Sequence, residues 1–177
     1  ISTAFAGVPL VAQARIDTPV GPMTALATAR GLAGLWFDAQ AHHPGALEAP
    51  VDAANKHIAA AREWLQAYWH GDEPPLTTLT FDLHGTDFQR AVWKVLCGIG
   101  YGRTRSYGEV AALVGGGAVP RATGTAVGRN PVGVIVPCHR VIGSNGTLTG
   151  FGGGLPTKQW LLEHEGISCV HQASLSF

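Results

Sequence analysis

The N-terminal half of the chain alternates apolar and polar positions with the period of two that is typical of β-strands. Three stretches follow this pattern, over Leu10–Ile16, Met23–Ala29 and Leu32–Phe37. Turn-forming residues separate them at Thr18–Pro22 and at Arg30-Gly31. The pattern therefore predicts an antiparallel three-stranded meander.

A helical period follows the meander. Residues 51–69 place Ile58, Ala61, Leu65, Tyr68 and Trp69 on one face, which predicts a helix that ends before Gly71. Residues 79–83 could add an edge strand. The aromatic residues of this helix could form a binding stripe, but their helical spacing favours core packing. No catalytic constellation lies in this half, so we expect it to be a scaffold.

The second half begins with helix signals. Thr86 and Gln89 form a predicted capping box, as do Ser106 and Glu109. The run Gly115–Gly117 ends the second of these helices, and Pro120 suits the first turn of a third, which ends near Arg129. Two short helices joined by a glycine turn predict a helix-turn-helix. A last helix is predicted from Pro156 to Gly166.

The third helix has an unusual composition. It carries two interior glycines, Gly124 and Gly128, each of which costs about 1 kcal/mol relative to alanine. It has no long polar side chains that would read base edges in a major groove. A small helix flanked by Arg121 and Arg129 would fit the minor groove, yet a packed core helix would have the same composition. Composition alone favours neither the DNA-binding helix nor the packed core helix.

Composition limits the possible chemistry. The 177 residues are 46% hydrophobic, which is enough for a substantial core. The cysteines, Cys97, Cys138 and Cys169, are odd in number and widely spaced, which favours a reducing, cytoplasmic setting over a disulfide framework. No paired-cysteine zinc motif is present, and His42-His43 is typical of a solvated loop. We expect no metal, no cofactor and no membrane segment.

A net charge of zero conceals an asymmetry. Residues 1–87 hold four Lys/Arg against nine Asp/Glu, whereas residues 88–177 hold eight Lys/Arg against three Asp/Glu. An excess of positive charge in the second half indicates a polyanionic partner, although the excess is modest. A nucleic-acid-binding module could lie there.

The candidate nucleophile is Cys138. It lies with His139 between two β-branched runs, 134–136 and 141–142, that are predicted to be buried strands. A free thiol has a pKa of about 8.5 and needs a nearby base to react at neutral pH. An isolated Cys-His pair is more often an inert buried thiol than a catalytic one. The motifs on both sides change that interpretation.

These motifs are Pro137–Arg140, the preceding Asn130-Pro131 and the following Gly150–Gly154. Together they resemble the O6-alkylguanine-DNA alkyltransferases, specifically over residues 86–166 and loosely over residues 10–85. The resemblance implies an α/β protein with two domains. Residues 1–84 would form a small ribonuclease-H-like α/β domain, and residues 85–177 a mainly helical winged helix-turn-helix domain.

The resemblance also implies a reaction. The O6-alkyl group of a flipped-out guanine would move irreversibly to Cys138, once per molecule. His139 would be the base, Glu165 would orient it, Tyr107 would donate to the leaving base, and Asn130 would be a hinge. From the residues alone, Glu163 is a rival of Glu165, although we expect it to face solvent. O4-alkylthymine is left open as a substrate.

The partner implied by the resemblance is double-stranded DNA containing O6-alkylguanine, bound through the minor groove by a monomer. Cooperative binding on DNA is left open. Arg121 would fill the space of the flipped nucleotide, and Arg129 would contact a phosphate or pack. The remaining contacts implied are Ala122, Thr125 and Ala126 on the third helix, and Phe151, Gly152, Gly153 and Val141 around the base pocket. Relatives often carry Tyr at the Phe151 position and Ala or Ser at the Gly152 position, so this chain departs from the family pattern in the pocket.

Two other functions are weighed against this one. A lesion-binding module without catalysis is disfavoured because such proteins replace the cysteine. A cysteine hydrolase with the same three residues would leave the helix-turn-helix unexplained. The sequence leaves open whether the chain is free-standing or part of a longer regulator.

Overall fold

The computed structural model describes residues 3–168 and 171–172. The chain divides into two compact units. The first comprises Ile1–Gly85 with Pro131–Ile135, and the second comprises Thr86–Asn130 with Val136–Phe177. The family resemblance implied a single boundary at 84/85. The units differ from that division because the chain returns to the first unit just before Cys138.

The first unit contains the predicted meander. Its strands are β1 (Leu10–Ile16), β2 (Met23–Thr28) and β3 (Leu32–Phe37), paired antiparallel in that order. The predicted edge strand at 79–83 forms only one parallel bridge, between Leu32 and Phe81. Gly31 is required here, because a Cβ would lie 2.6 Å from the Thr80 carbonyl oxygen.

Helix α1 (Lys56–Trp69) covers this sheet and begins later than the predicted residue 51. Asn55 sets its start, because its side chain accepts hydrogen bonds from the backbone of His57 and Ile58. Trp64 and Tyr68 are buried and stacked 5.5 Å apart. Trp64 and Tyr68 therefore pack in the core, as the helical spacing predicted, whereas Trp69 is half-buried.

The second unit is mainly helical. Its helices are α2 (Asp87–Leu96), α3 (Tyr107–Val114), α4 (Pro120–Gly128) and α5 (Leu155–His164). The short strands β4 (Arg105–Ser106) and β5 (Val141–Ile142) pair in parallel, as do β6 (Thr147–Leu148) and β7 (His171–Gln172). Within the described residues, every helix is too short or too polar to cross a membrane.

Only one of the two predicted capping boxes forms completely. At α2 both halves form, since Thr86 Oγ1 accepts from the Gln89 backbone and the Gln89 side chain accepts from the Thr86 backbone. At α3 only the Ser106 half forms. The Glu109 carboxylate accepts instead from Arg105, 3.3 Å away. A competing cation therefore replaces the second half of that box.

Candidate active site

The backbone before Cys138 makes two tight turns rather than the predicted strand. The Ile135 amide donates to the Gly133 carbonyl at 2.8 Å, which places Val134 in a γ-turn with φ of 68°. The Cys138 amide donates to the Val136 carbonyl at 2.8 Å across Pro137. The apolar run 134–136 is buried as predicted, but its pairing as a strand was wrong.

Positive φ is unfavourable for a β-branched residue, so the conformation of Val134 must be held by its surroundings. Val134 is fully buried. The backbone on one side is fixed by Leu35, whose amide donates to the Pro131 carbonyl and whose carbonyl accepts from the Gly133 amide. Packing and these bonds stabilise the turn that leads to Cys138.

The Cys138 thiol is half-buried at the start of a short 3-10 helix, Cys138–Arg140. Burial raises its pKa, whereas a hydrogen bond from the Asn130 side chain and the positive charge of Lys158 act in the opposite direction. The Asn130 amide also donates to the Val136 carbonyl at 2.8 Å. Asn130 therefore connects the end of α4 to the turn at Cys138.

His139 is completely buried, and its Nε2 lies 2.6 Å from Glu165 Oε2. Because a carboxylate can only accept, Nε2 carries the proton and Nδ1 has the free lone pair. Nδ1 is buried and makes no hydrogen bond to any described residue. Burial lowers the pKa of His139, so the imidazole is neutral and able to accept a proton at Nδ1.

Glu165, not Glu163, is the carboxylate beside His139. Glu163 is exposed and accepts from the Gln159 side chain. Glu165 Oε1 accepts from Arg140 Nε at 2.8 Å and from the Gly102 amide at 3.0 Å. Burial alone would raise the pKa of Glu165, but His139 and Arg140 outweigh it and lower the pKa to about 2.

Arg140 is part of the Pro137–Arg140 motif, but no role was predicted for it from the sequence. It is buried, donates to Glu165 through Nε and an η nitrogen, and donates to the Ile99 carbonyl at 2.6 Å. Its guanidinium lies 5.8 Å from the centre of the Tyr101 ring. Arg140 thus balances the charge of Glu165 and fixes the carboxylate that orients His139.

Lys158 was missed altogether. Its side chain is completely buried, and Nζ donates to the carbonyls of Val141 at 2.5 Å and Thr149 at 2.8 Å. Burial lowers the pKa of Lys158 to about 8. A signal did exist in the sequence, because a lysine in the first turn of α5 is opposed by the helix dipole. Such a position suggests a reason beyond helix stability.

Tyr107 contacts the same Thr149 carbonyl as Lys158. Its hydroxyl donates to that carbonyl at 3.5 Å and accepts from Thr149 Oγ1 at 3.3 Å. Burial raises the pKa of Tyr107, which keeps the phenol protonated. The predicted pocket residues Phe151, Gly152 and Gly153 follow Thr149 and are half-buried, whereas Val141 is fully buried.

The helix α4 has two faces. Arg121, Ala122, Thr125 and Arg129 are exposed, as expected for contact residues. Ala126 is only 3% exposed, and its carbonyl accepts from Trp93 Nε1. The inclusion of Ala126 among the contact residues was therefore wrong, because its methyl group faces the core of the second unit.

Of the two remaining thiols, the structure describes only Cys97. Cys97 is half-buried at the end of α2, and burial raises its pKa, which disfavours the reactive thiolate. Cys169 lies outside the described residues. Over residues 3–168 and 171–172, no group of three or more His, Cys, Asp or Glu side chains could hold a metal ion.

Known proteins resemble this chain over most of its length. A family model described as the DNA-binding domain of 6-O-methylguanine DNA methyltransferase matches residues 87–167. A Mycobacterium tuberculosis protein named methylated-DNA–protein-cysteine methyltransferase is 44% identical over 150 residues, covering 85% of this chain and 89% of that protein. A Methanosarcina barkeri protein of the same name is 42% identical over 156 residues, covering 85% and 94%.

Solved structures agree. The crystal structure of M. tuberculosis OGT in complex with DNA has a TM-score of 0.78 and 42% identity, covering 88% of this chain and 93% of that one. The mixed α/β fold, with its small antiparallel sheet and helical second unit, is thus shared with OGT structures. Identity at this level across most of both chains shows common ancestry. The chain belongs to the methylated-DNA–protein-cysteine methyltransferase family.

Proposed function

We propose that this protein repairs alkylated DNA directly, by moving the O6-alkyl group of a guanine onto Cys138. The observation that supports this most directly is the buried relay beside the thiol. His139 presents an unoccupied lone pair at Nδ1, and Glu165 holds Nε2 at 2.6 Å. Thiol, base and orienting carboxylate are the groups that nucleophilic displacement by sulfur requires.

The first step removes the proton from the thiol. Adjacent side chains seldom face each other, so the proton passes from Cys138 to Nδ1 of His139 through a bridging water. Glu165 stabilises the imidazolium that forms and keeps the ring in the correct tautomer. Asn130 donates to the sulfur and stabilises its negative charge.

The second step is displacement at the alkyl carbon. A carbon–sulfur bond forms as the bond from that carbon to guanine O6 breaks, and the electron pair of that bond moves into the heterocycle. Tyr107, protonated at neutral pH, donates a proton to the leaving base and recovers it from the imidazolium. Guanine thus leaves with the proton that Cys138 lost.

The product explains why each molecule acts once. An S-alkyl cysteine is a thioether and has no polarised carbonyl for water to attack. None of the site residues described above could return the thiol from this state. Transfer is therefore stoichiometric, and the protein is consumed by the reaction.

We infer that DNA contacts the exposed face of α4 through its minor groove. A Cβ on Gly128 would meet nothing within 4 Å, and one on Gly124 would meet the Tyr107 ring at an ordinary 3.4 Å. The protein itself therefore gives no steric reason for these glycines. Close approach of an external backbone is a reason, and the arginines at the ends of the exposed face suit phosphates.

Arg121 is the residue proposed to fill the space of an extruded nucleotide. It is exposed at the first turn of α4, and its side chain is not paired with a carboxylate among the described residues. Extrusion costs a few kcal/mol, and least for a weakly paired alkylated base. Phe151, Gly152 and Gly153 would then line the pocket, where the missing side chain at Gly152 leaves room.

The finer structural assignments fit the same proposal. The sheet and α1 of the first unit suit a ribonuclease-H-like domain, and α3 with α4 suit the helix-turn-helix of a winged domain. A monomer acting in the cytoplasm, close to the nucleoid, would have access to its substrate.

The direct test is intact-mass measurement after incubation with an O6-methylguanine oligonucleotide. We expect one added methyl group per protein, mapped to the peptide that contains Cys138. Cys138→Ala should abolish transfer and keep DNA binding, whereas Cys97→Ser, a matched change of another half-buried thiol, should transfer normally. Methyl transfer by Cys138→Ala, or repeated turnover, would refute the proposal.

A further inference from the structure

We propose that the turn formed by residues 99–102, called the 99–102 turn below, positions the proton relay of the transfer reaction, with Tyr101 and Gly102 as its positioning residues. The inference deepens the proposed function and rests on it. Its starting point is geometric, because this one turn makes three contacts with Arg140 and Glu165, the buried ion pair that orients His139.

The central contact is the hydrogen bond from the Gly102 amide to Glu165 Oε1, at 3.0 Å. Gly102 lies at the surface, whereas the Glu165 side chain is completely buried. Arg140 donates to both carboxylate oxygens, and His139 binds Oε2. Rotation of the carboxylate would break the bond to Gly102, so this amide keeps Oε2 against His139.

The backbone conformation of Gly102 makes this contact possible. The Arg103 amide donates to the Gly100 carbonyl at 3.1 Å, which closes a four-residue turn with Gly102 at its third position. Gly102 has a φ of 72°, in the left-handed region that favours glycine. A Cβ there would also lie only 3.1 Å from the Glu165 backbone oxygen. A glycine therefore lets the turn approach the end of α5 closely.

Two other groups of the 99–102 turn hold Arg140. The Ile99 carbonyl accepts from its Nη1 at 2.6 Å. The guanidinium also lies over the Tyr101 ring, 5.8 Å from the ring centre, which is within the range of a cation–π interaction. The Tyr101 hydroxyl donates to the His164 carbonyl at 3.4 Å and so attaches the turn to α5. The same turn thus fixes both members of the buried ion pair.

The arrangement bears on the chemistry through Glu165. At 2.6 Å, Glu165 keeps the imidazole proton of His139 on Nε2, which leaves the lone pair on Nδ1 to accept the thiol proton. A carboxylate that could rotate would release the ring to the other tautomer and to other orientations. The 99–102 turn therefore acts through Glu165 and Arg140 rather than on the substrate.

The turn is itself held at both ends, as a positioning element must be. It begins where α2 ends, and the Ile99 amide donates to the Leu96 carbonyl at 2.9 Å. It is followed by β4, which pairs with β5 directly after Arg140. Helix α3 begins immediately after β4. The support of the relay is thus continuous with the segment that enters the helix-turn-helix.

The principal variant is Gly102→Ala. Its methyl group would push the turn away from Glu165 by a few tenths of an ångström. Gly100→Ala is the control in the same turn, because its Cβ would meet only the flexible Arg103 side chain, at 3.5 Å. Gly71→Ala in the first unit controls for backbone strain, since Gly71 has a φ of 91° and its Cβ would meet nothing within 4 Å.

The first measurement is single-turnover methyl transfer at increasing concentrations of an O6-methylguanine oligonucleotide, below the unfolding temperature of each variant. In Gly102→Ala the maximal rate should fall about tenfold, because a misplacement of about 1 Å can cost about 100-fold and the shift here is smaller. The DNA concentration at half-maximal rate should not change. A wild-type rate in Gly102→Ala, or an equal fall in Gly71→Ala, would overturn the proposal.

The second measurement is the NMR resonance of the proton on His139 Nε2, in protein without DNA. A proton shared with a carboxylate at 2.6 Å resonates downfield of the backbone amides. In Gly102→Ala this resonance should move upfield or broaden by exchange with water, and in Gly100→Ala it should stay. Slower transfer by Gly102→Ala with an unchanged resonance would contradict a role that acts through Glu165.

Substitutions of Tyr101 decide the proposal if Gly102→Ala fails to fold. Tyr101→Leu removes the ring beneath Arg140, whereas Tyr101→Phe keeps the ring and loses only the hydroxyl bond. We expect Leu, and not Phe, to lower the maximal rate and shift the His139 resonance; wild-type behaviour of Leu would overturn the proposal. The NMR measurement needs no DNA, so absence of methyl transfer in the wild-type protein would refute the proposed function while the resonance still tests the turn.

Discussion

Helices α2 and α4 contact each other in the second unit, yet they are built on opposite principles. Helix α2 has a complete capping box, Asp87 in its first turn and Lys94 in its last, all of which stabilise a helix locally. Helix α4 begins after Val119 without a side-chain cap and has two glycines in place of better helix formers.

The difference shows where the stability of α4 originates. Its buried face, formed by Thr123, Ala126 and Val127, packs in the second unit, and Trp93 of α2 donates to the Ala126 carbonyl. Packing of one face thus replaces the local signals that α4 lacks. The other face is left small and smooth, which suits contact with a partner rather than stability.

The largest expected effect tests whether the exposed face of α4 serves DNA binding. Arg121→Ala on α4 should reduce methyl transfer by about 100-fold at limiting DNA, because extrusion costs a few kcal/mol that the arginine would offset. Arg90→Ala on α2 is the control, since Arg90 is exposed and pairs with Asp87. Single-turnover kinetics measure both. Equal losses in the two variants would contradict the distinct role of α4.

The hydrogen bond between Trp93 of α2 and the Ala126 carbonyl of α4 provides a test of whether packing against α2 stabilises α4. Trp93→Phe removes the indole donor and leaves the buried Ala126 carbonyl without it. We expect the free energy of unfolding to fall by about 1–3 kcal/mol. Denaturant unfolding measures the change, and an unaltered midpoint would mean that α4 does not depend on α2 in this way.

Removal of the α2 cap should affect stability without affecting chemistry. Thr86→Ala deletes the side chain that accepts from the Gln89 backbone, so stability should fall by about 1 kcal/mol. Transfer measured below the unfolding temperature should match the wild-type rate. A slower transfer in the folded variant would show that α2 contributes to the site as well as to stability.

The smallest expected effect has the opposite sign. Gly128→Ala should raise the free energy of unfolding by up to about 1 kcal/mol, because its Cβ meets no atom of the protein within 4 Å. Affinity for DNA should nevertheless decrease, since the added methyl group would prevent the close approach of the DNA minor groove to α4. Gly108→Ala on α3, a matched change at an exposed glycine whose added Cβ would meet Ser106 Oγ at 3.9 Å, is the control. A more stable variant with undiminished affinity for DNA would mean that α4 is an ordinary packed helix and that its glycines do not serve DNA binding.

Much of the fold followed from local patterns. The meander, the α2 capping box and the Pro120 start of α4 were predicted because each depends on residues close in sequence. The start of α1 was misplaced because the Asn55 cap was not recognised as the stronger signal. The run 134–136 was correctly predicted as buried and wrongly as a strand, since burial alone does not distinguish a strand from turns.

The candidate site residues likewise divide into those identified from the sequence and those identified only in the structure. The Cys138–His139 pair is adjacent in sequence and was found from its motif. Residues alone could not choose between Glu163 and Glu165, whereas the structure places Glu165 against His139 and leaves Glu163 exposed. Lys158 was not predicted as a site residue because lysine is normally a surface residue, and its unfavourable position in the first turn of α5 is only a weak local signal.

The sequence by itself predicted the three-stranded meander, most helix limits, the charge asymmetry and Cys138 as the candidate nucleophile, because these depend on periodicity and on short motifs. Only the tertiary structure decided which carboxylate meets His139, which face of α4 is exposed, and that Lys158 and Arg140 are buried. The physical reason is that burial and charge pairing depend on neighbours in space. Those neighbours are supplied by chain segments many residues apart.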